Sequence, residues 1–364
     1  MNTLFDGFYQ GKTVFITGHT GFQGSWLSLW LTLLGAKVIG YSLSPPTVPS
    51  LFEILKIKKN ITSHIHDIND KTKLYSILSK HNPDVVIHLA AQPLVRKSYE
   101  IPLETFSTNI LGTANLLESV RDVSSVKACL IMTSDKAYEN KEWDYAYREN
   151  DPMGGHDPYS ASKGAAELIV SSYRKSFYNQ KNSSGIASIR AGNVIGGGDW
   201  AQDRLIPDCI RSLLSNKKII LRNPKSVRPW QYVLEPLSGL LLIGSKLTKN
   251  SKQLGRAWNI GPMTTSDVSV QSVAKKIIKK WGSGTINLKR TNLHEAKSLR
   301  LDSSNIANIL KWKPTYSIEE SIDETVNWYL HYNENKKTIR DYTISQIGNY
   351  VSKANKSKNV WVHN

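Results

Sequence analysis

Two short runs carry side chains able to move protons: Thr133-Ser-Asp-Lys136 and Tyr159-Ser-Ala-Ser-Lys163. On a helix, residues four apart lie on one face, so Tyr159 and Lys163 would meet the same ligand. A phenol with an ordinary pKa of about 10 is a poor base near neutrality. A cation beside it favours the phenolate. Tyr159 is therefore a candidate general base toward a sugar or alcohol hydroxyl, with Ser134 as a second hydroxyl on the same oxygen. Tyr-x-x-x-Lys also occurs on ordinary helices. Its weight comes from a glycine loop upstream in the chain.

That loop, Gly18-His-Thr-Gly21-Phe-Gln-Gly24, follows a short apolar strand at 12–18 and precedes a helix at 25–34. Strand, glycine loop and helix form the context of a dinucleotide site. Glycines let the backbone approach a pyrophosphate, and amides at the helix start hold it. Gly18, Thr20, Gly21, Phe22, Gln23 and Gly24 are the cofactor-binding candidates here. The helix aromatics Trp26 and Trp30 read as core. The second strand, 37–43, carries Tyr41 and Ser42 near its end, with no carboxylate before Glu53 and no arginine. This favours NAD over NADP, with Tyr41 at the ribose. Asp67 and Ile68 could receive the adenine, or Asp67 could cap a helix at 69–79.

The strand at 84–91 brings Leu89, Ala90 and Ala91 toward the cofactor, while His88 reads as a satisfied core histidine. Asn109, inside a helix at 103–122, is a poor helix former and suggests a polar role facing the site. The strand at 126–132 delivers Ser134, Asp135 and Lys136 at its carboxyl end, where open parallel sheets bind ligands. A helix at 159–180 and a strand at 185–192 complete the alternation. The pattern predicts an α/β fold, a Rossmann-type doubly wound parallel sheet, over 1–193 with a returning segment at about 229–260. Segments 194–228 and 261–340 are expected to form a smaller C-terminal substrate-binding domain. There Asn193 to Trp200 reads as a flexible loop lining the substrate. Arg204, Arg222, Arg228 and Arg300 could hold a diphosphate and stack a base. The lysine-rich end, 341–364, reads as a polar tail, disordered or packed on a partner subunit.

The bulk numbers narrow the class. With 364 residues, 40% hydrophobic, the chain can bury a large core. No run approaches the roughly 18 apolar residues of a membrane span, and the N-terminus has no basic region followed by an apolar run. Cys129 and Cys209 lack metal-type spacing and suit a reducing compartment, so no metal is expected and the cytoplasm is the expected location. The net charge of +17 is spread over scattered lysines. No segment interleaves arginine with aromatics as a nucleic-acid groove would.

Together these motifs resemble an extended short-chain dehydrogenase/reductase and, within that group, the CDP-glucose 4,6-dehydratases. The carrying residues are Thr17 to Trp26, Pro46 to Phe52, Ala90-Ala-Gln-Pro-Leu-Val-Arg96 and Thr133 to Lys136, then Asp157 to Lys163, Arg190 to Trp200 and Arg228-Pro-Trp230. The resemblance spans roughly residues 10 to 330 by sequence reading. It implies a lyase that uses NAD without consuming it, acting on a nucleotide-diphosphate sugar, CDP-glucose first. It also implies a homodimer or tetramer and a place in deoxysugar biosynthesis for lipopolysaccharide O-antigen. By position, Tyr159 would deprotonate the hydroxyl at carbon 4 and the nicotinamide would take the hydride. Ser134 would hold the carbon-4 oxygen, and Lys163 would bind the ribose and tune Tyr159. Asp135 would protonate the departing carbon-6 hydroxyl, and Lys136 occupies the place of the base at carbon 5. Gln92, Arg96, Asn193, Trp200 and the four arginines above are the implied substrate contacts. The dTDP-sugar dehydratases carry Glu where this chain has Lys136, a departure shared with the CDP-glucose enzymes. Lys136 also sets a difficulty, because a neighbouring cation lowers a carboxyl pKa and opposes the acid role of Asp135. The nearest alternative is an epimerase or a dehydratase for a different sugar; a simple epimerase needs no such acid–base pair, and a non-catalytic dinucleotide-binding regulator has no need of Ser134, Asp135, Tyr159 and Lys163 together.

Overall fold

The apolar run after Lys12 becomes the centre of a parallel sheet. The computed structural model describes residues 1–178, 183–262, 268–289 and 298–362. Its strands are β1 (Thr13–Thr17), β2 (Lys37–Ser42), β3 (Thr62–Ile65), β4 (Val85–His88), β5 (Ala128–Met132) and β6 (Gly185–Ala191). The later strands are β7 (Val194–Ile195), β8 (Ile219–Leu221), β9 (Gln231–Tyr232), β10 (Ala257–Ile260) and β11 (Ile286–Leu288). The helices of the first half are α1 (Phe22–Leu33), α2 (Leu51–Ile54), α3 (Lys71–His81), α4 (Val95–Glu100), α5 (Pro102–Phe106), α6 (Gly112–Arg121) and α7 (Pro158–Phe177). Those of the second half are α8 (Leu205–Leu214), α9 (Leu234–Leu247), α10 (Ser251–Leu254), α11 (Val270–Trp281), α12 (Ser304–Leu310), α13 (Ile318–Glu334) and α14 (Ile339–Lys356).

Among the described residues the main sheet has the order β10-β6-β5-β4-β1-β2-β3, every pair parallel. Strand order reverses between β1 and β4, where Thr17 pairs with His88 on one side and Tyr41 on the other. A ligand crevice opens at such a point. The inner strands β4, β5 and β6 are buried throughout, as strands covered on both faces must be. One face packs on α1 and α9, burying Trp26, Trp30, Leu237 and Leu241, and the other buries Leu74, Leu78, Leu116, Leu117 and Val170. Two small parallel pairs, β7 with β9 and β8 with β11, lie outside the main sheet. Residues 263–267 and 290–297 of the expected substrate-binding segment, the last residues of the 159–180 helix and residues 363–364 of the expected tail lie outside the described residues.

Two expectations are corrected here. The helix expected at 103–122 is interrupted by a π-helical turn at Ser107–Leu111, which displaces Asn109 from the regular ladder. The expected polar tail is largely helix α14. It buries Ile339, Thr343, Ile347, Tyr350 and Ala354 on one face. Beyond it Trp361 stacks on Phe5 at 5.3 Å and on Tyr350 at 5.7 Å, so the chain's end closes over α1. Glu235 of α9 anchors this layer by accepting from the Thr315 and Tyr316 amides and the Tyr350 hydroxyl.

Candidate active site

Tyr159 and Lys163 stand on the first turns of α7. Asp157 caps that helix, its carboxylate accepting from the Ser160 amide at 2.9 Å and the Ser160 hydroxyl at 2.6 Å. Pro158 at the first helical position sharpens the start. The displaced Asn109 then braces the helix. It donates to the Ser162 hydroxyl at 2.8 Å and exchanges bonds with the Gln92 backbone, linking α7 to the turn after β4. Opposite, β5 ends at Met132, Thr133 follows it, and Ser134 opens a 3-10 turn by accepting from the Lys136 amide at 3.2 Å.

Ser134, Asp135, Lys136, Tyr159 and Lys163 all line one cleft with about 320 Å³ of free volume, within the range of small-molecule sites. Gln23, Leu89, Ala91, Arg96, Asn193, Arg204, Arg222 and Arg228 line it too. Burial raises Tyr159 to about 12, helped by Asp135 and Asp157 and opposed by the Ser134 hydroxyl and the Arg204 cation. The Lys163 ammonium lies 6.0 Å from the Tyr159 ring centre, and Arg204 adds a second cation that favours the phenolate. Arg204 is fixed by Asp199 at 3.0 Å. Burial also lowers Lys163, to about 8, against the pull of Glu167.

The carboxyl of Asp135 resolves the difficulty set by its neighbour. Burial raises its pKa and outweighs the opposing Lys136, Ser134 and Arg228. One oxygen accepts from the Ser134 hydroxyl at 3.0 Å, while Oδ2 is buried with no hydrogen-bond partner. An unpartnered oxygen on a carboxyl biased toward its neutral form is a place for a proton. Lys136 is only half-buried.

The residues also fit a dinucleotide. Gly18 has φ +77°, and a Cβ there would sit 2.7 Å from the Ala90 amide nitrogen, so the loop and the turn after β4 approach as only glycine allows. The start of α1 has no side-chain cap, which leaves its first amides for an anion. The Gln23 carbonyl oxygen is buried without a partner, and Lys163 forms no hydrogen bond among the described residues.

Other candidates stand elsewhere. Tyr41 is a core residue, its ring beside Phe15 and His66 and its hydroxyl donating to the Asp67 carbonyl at 2.8 Å. Thr20 donates to the Leu43 carbonyl and meets Ser42, holding the loop to β2. Asp67 accepts from the Asn69 amide, whereas the cap of α3 is Asp70. Ile68 is buried beside Gly112 of α6. The Gln92 side chain is consumed by its own turn, bonding Leu94 and Thr105. Trp200 lies in the core against Tyr329 and Tyr332 instead of lining the cleft. Arg300 lies outside the cleft and donates to the Asp144 carbonyl. His88 is satisfied by Thr17 and Thr113, and burial holds it neutral.

The loop from Asn193 to Trp200 is clamped instead of flexible. Residues 195–200 are buried, Trp26 donates to the Gly197 carbonyl at 3.0 Å, and Tyr329 donates to the Asp199 carbonyl at 2.5 Å. Trp328 packs so close that a Cβ on Gly197 would lie 2.0 Å from its ring. Sequence reading missed Glu167, a buried carboxylate beneath Thr133. A polar residue four beyond Lys163 on the same face was the available signal.

A doubly wound parallel sheet that presents Ser134, Tyr159 and Lys163 beside a glycine loop defines an extended short-chain dehydrogenase/reductase. The family model described as GDP-mannose 4,6 dehydratase matches residues 15–325, and the chain belongs to that family. The CDP-glucose 4,6-dehydratase of Salmonella typhimurium is 51% identical over 328 residues, 88% of this chain and 91% of that protein. Among solved structures, the dTDP-glucose 4,6-dehydratase of Bacillus anthracis, in complex with NAD, is similar with a TM-score of 0.75. It is 22% identical and covers 89% of this chain and 98% of that one. The dTDP-glucose 4,6-dehydratase of Streptomyces venezuelae, with NAD bound, gives 0.76 at 21% identity, covering 89% and 98%.

Proposed function

We propose that this chain is an NAD-dependent hydro-lyase that converts CDP-glucose to CDP-4-keto-6-deoxyglucose and water. The observation that carries the reading is the buried Asp135 carboxyl, with its unpartnered Oδ2, in the same cleft as Tyr159. An oxidoreductase needs only the tyrosine, whereas loss of water needs a second proton donor. NAD, when bound, supplies the acceptor and later the donor of a hydride. Gly18, Gly21, Gly24 and the first amides of α1 would hold its pyrophosphate, and Lys163 would hold the ribose. Tyr159 takes the proton of the carbon-4 hydroxyl, with Ser134 on the same oxygen and Arg204 favouring the phenolate. The resulting ketone acidifies the hydrogen at carbon 5. Lys136 removes it, Asp135 gives its proton to the carbon-6 hydroxyl as it departs, and the double bond left between carbons 5 and 6 takes back the hydride at carbon 6 and a proton at carbon 5. Arg96, Arg222 and Arg228 face the cleft with charges suited to the diphosphate. The strongest support for CDP-glucose over other nucleotide sugars is the 51% identity to a CDP-glucose enzyme.

The test is incubation with CDP-, dTDP-, UDP- and GDP-sugars, reading 4-keto-sugar absorbance in alkali. Turnover of CDP-glucose above the others is expected, and no keto sugar from any of them would refute the reading. The same reading includes a cytoplasmic enzyme of deoxysugar biosynthesis and an isologous dimer. Leu103 is 81% exposed and Leu168 61% exposed on α5 and α7, an apolar face that a two-fold copy would cover. A monomer by light scattering would rule the dimer out.

A further inference from the structure

Glu167 lies one turn beyond Lys163 and two beyond Tyr159, so all three share a face of α7. Its carboxylate is buried and fully occupied. Oε1 accepts from the Thr133 hydroxyl at 2.5 Å, and Oε2 accepts from the Ser188 hydroxyl at 2.9 Å and from Arg190 at 2.8 Å. Arg190 also donates to the Tyr138 hydroxyl at 2.8 Å and the Glu149 carbonyl at 2.9 Å. One carboxylate thus ties α7 to β6 and to the end of β5, one residue before Ser134. The neighbouring Lys163 is buried, with no hydrogen bond among the described residues. We propose that Glu167 is a positioning residue. It fixes the two halves of the catalytic constellation relative to each other and keeps Lys163 charged.

Electrostatics agree with this geometry. Burial alone would raise Glu167, but the Arg190 charge and the hydrogen bonds from Arg190, Thr133 and Ser188 hold it low and therefore ionised. The groups facing Lys163 are Tyr159 and Glu167 on its own helix and His88 on β4. Glu167 in turn faces Arg190 on β6 and Arg174 on α7. His88 is held at about 3 and Tyr159 at about 12, chiefly by burial. Burial brings Arg174 only to about 10. Lys163, at about 8, is the member of this group that titrates near neutrality.

The proposal rests on the reading of Lys163 as a cofactor contact. Its test therefore uses binding as well as turnover. Glu167→Gln alone would leave the Arg190 charge buried and unpaired, so the double variant Glu167→Gln with Arg190→Met is the main probe. Affinity for NAD is measured by quenching of intrinsic fluorescence from pH 6 to 10, alongside the pH profile of CDP-glucose turnover. The wild type should lose affinity as pH rises through about 8, and Lys163→Met should show no such break. In the double variant the break should move down, by less than loss of the Glu167 charge alone would give, because the Arg190 cation goes with it. A break at the wild-type pH, with only the level of binding lowered, would make Glu167 purely structural and overturn the proposal. A wild type that binds NAD but leaves CDP-glucose unchanged would sink the functional reading and leave this titration intact.

Discussion

Replacing Lys163 with Met measures what the fold gives up to hold a charge in its interior. Burial brings this amine from the ordinary 10.5 to about 8. At about 1.4 kcal/mol for each tenfold change in proton affinity, keeping it charged in the folded chain costs about 3 kcal/mol. The sign follows from the depressed value. Below pH 8 both folded and unfolded chains carry the proton, and the full penalty is present. Between 8 and 10.5 the unfolded chain binds more protons, so stability rises with pH. Met keeps the volume and removes the charge. At pH 7 the variant should be more stable than the wild type by up to about 3 kcal/mol, with the denaturant slope unchanged. The gap should narrow as pH approaches 10. Turnover and NAD affinity should both fall, as expected where function depends on a destabilising group. Urea unfolding of both proteins at pH 7 and pH 9.5 decides the matter. Equal stability at pH 7, or a gap independent of pH, would refute the view that Lys163 is held charged against desolvation.

Tyr159→Phe keeps the ring and should lower turnover by about 10²- to 10⁴-fold, and near-normal steady-state rates would show that another group takes the carbon-4 proton. Gly21→Val should fold, because a Cβ there meets nothing closer than the Gly18 carbonyl at 3.4 Å, yet it should lose NAD affinity by calorimetry. Lys136→Met should still oxidise carbon 4, so reduced cofactor accumulates in a single turnover while solvent deuterium exchange at carbon 5 slows. Undiminished dehydration would make Lys136 a mere neighbour of Asp135. Asp135→Asn can still donate a hydrogen bond but cannot release a proton to the leaving hydroxyl, so keto-sugar formation should fall by about 10²-fold or more. It should also lose the decline with rising pH that follows ionisation of Asp135 in the wild type.

What the sequence makes legible is local. The glycine loop, the alternation of strands and helices and the Tyr-x-x-x-Lys helix each depend on a few neighbouring residues, and each appears in the fold near its expected place. What it hides depends on partners far along the chain. Tyr41 leaves the ribose position because Phe15 and His66 receive its ring. Trp200 leaves the cleft because Tyr329 and Tyr332, over a hundred residues on, build its pocket. The glycine run reads as flexible in the sequence because the indole and phenol that clamp it lie far away, on α1 and α13. Helix α14 was missed because its buried positions, Ile339, Thr343, Ile347, Tyr350 and Ala354, are sparse and partly polar among lysines. Arg190 offered one clue that went unused. A guanidinium inside the buried strand Gly185–Ala191 must have an anion waiting, and Glu167 is that anion.

The proposed division of labour between Asp135 and Lys136 would follow from their depth. In water a carboxyl beside a lysine would settle ionised, the wrong state for an acid in the elimination. The turn after β5 separates their environments. Asp135 points inward, where burial disfavours its charge and leaves Oδ2 without a partner, while Lys136 stays at the half-buried rim of the same cleft. A sugar entering the cleft would displace water from that rim, where Lys136 lines the wall. The same sugar would present its carbon-6 hydroxyl as a partner for the proton on Asp135.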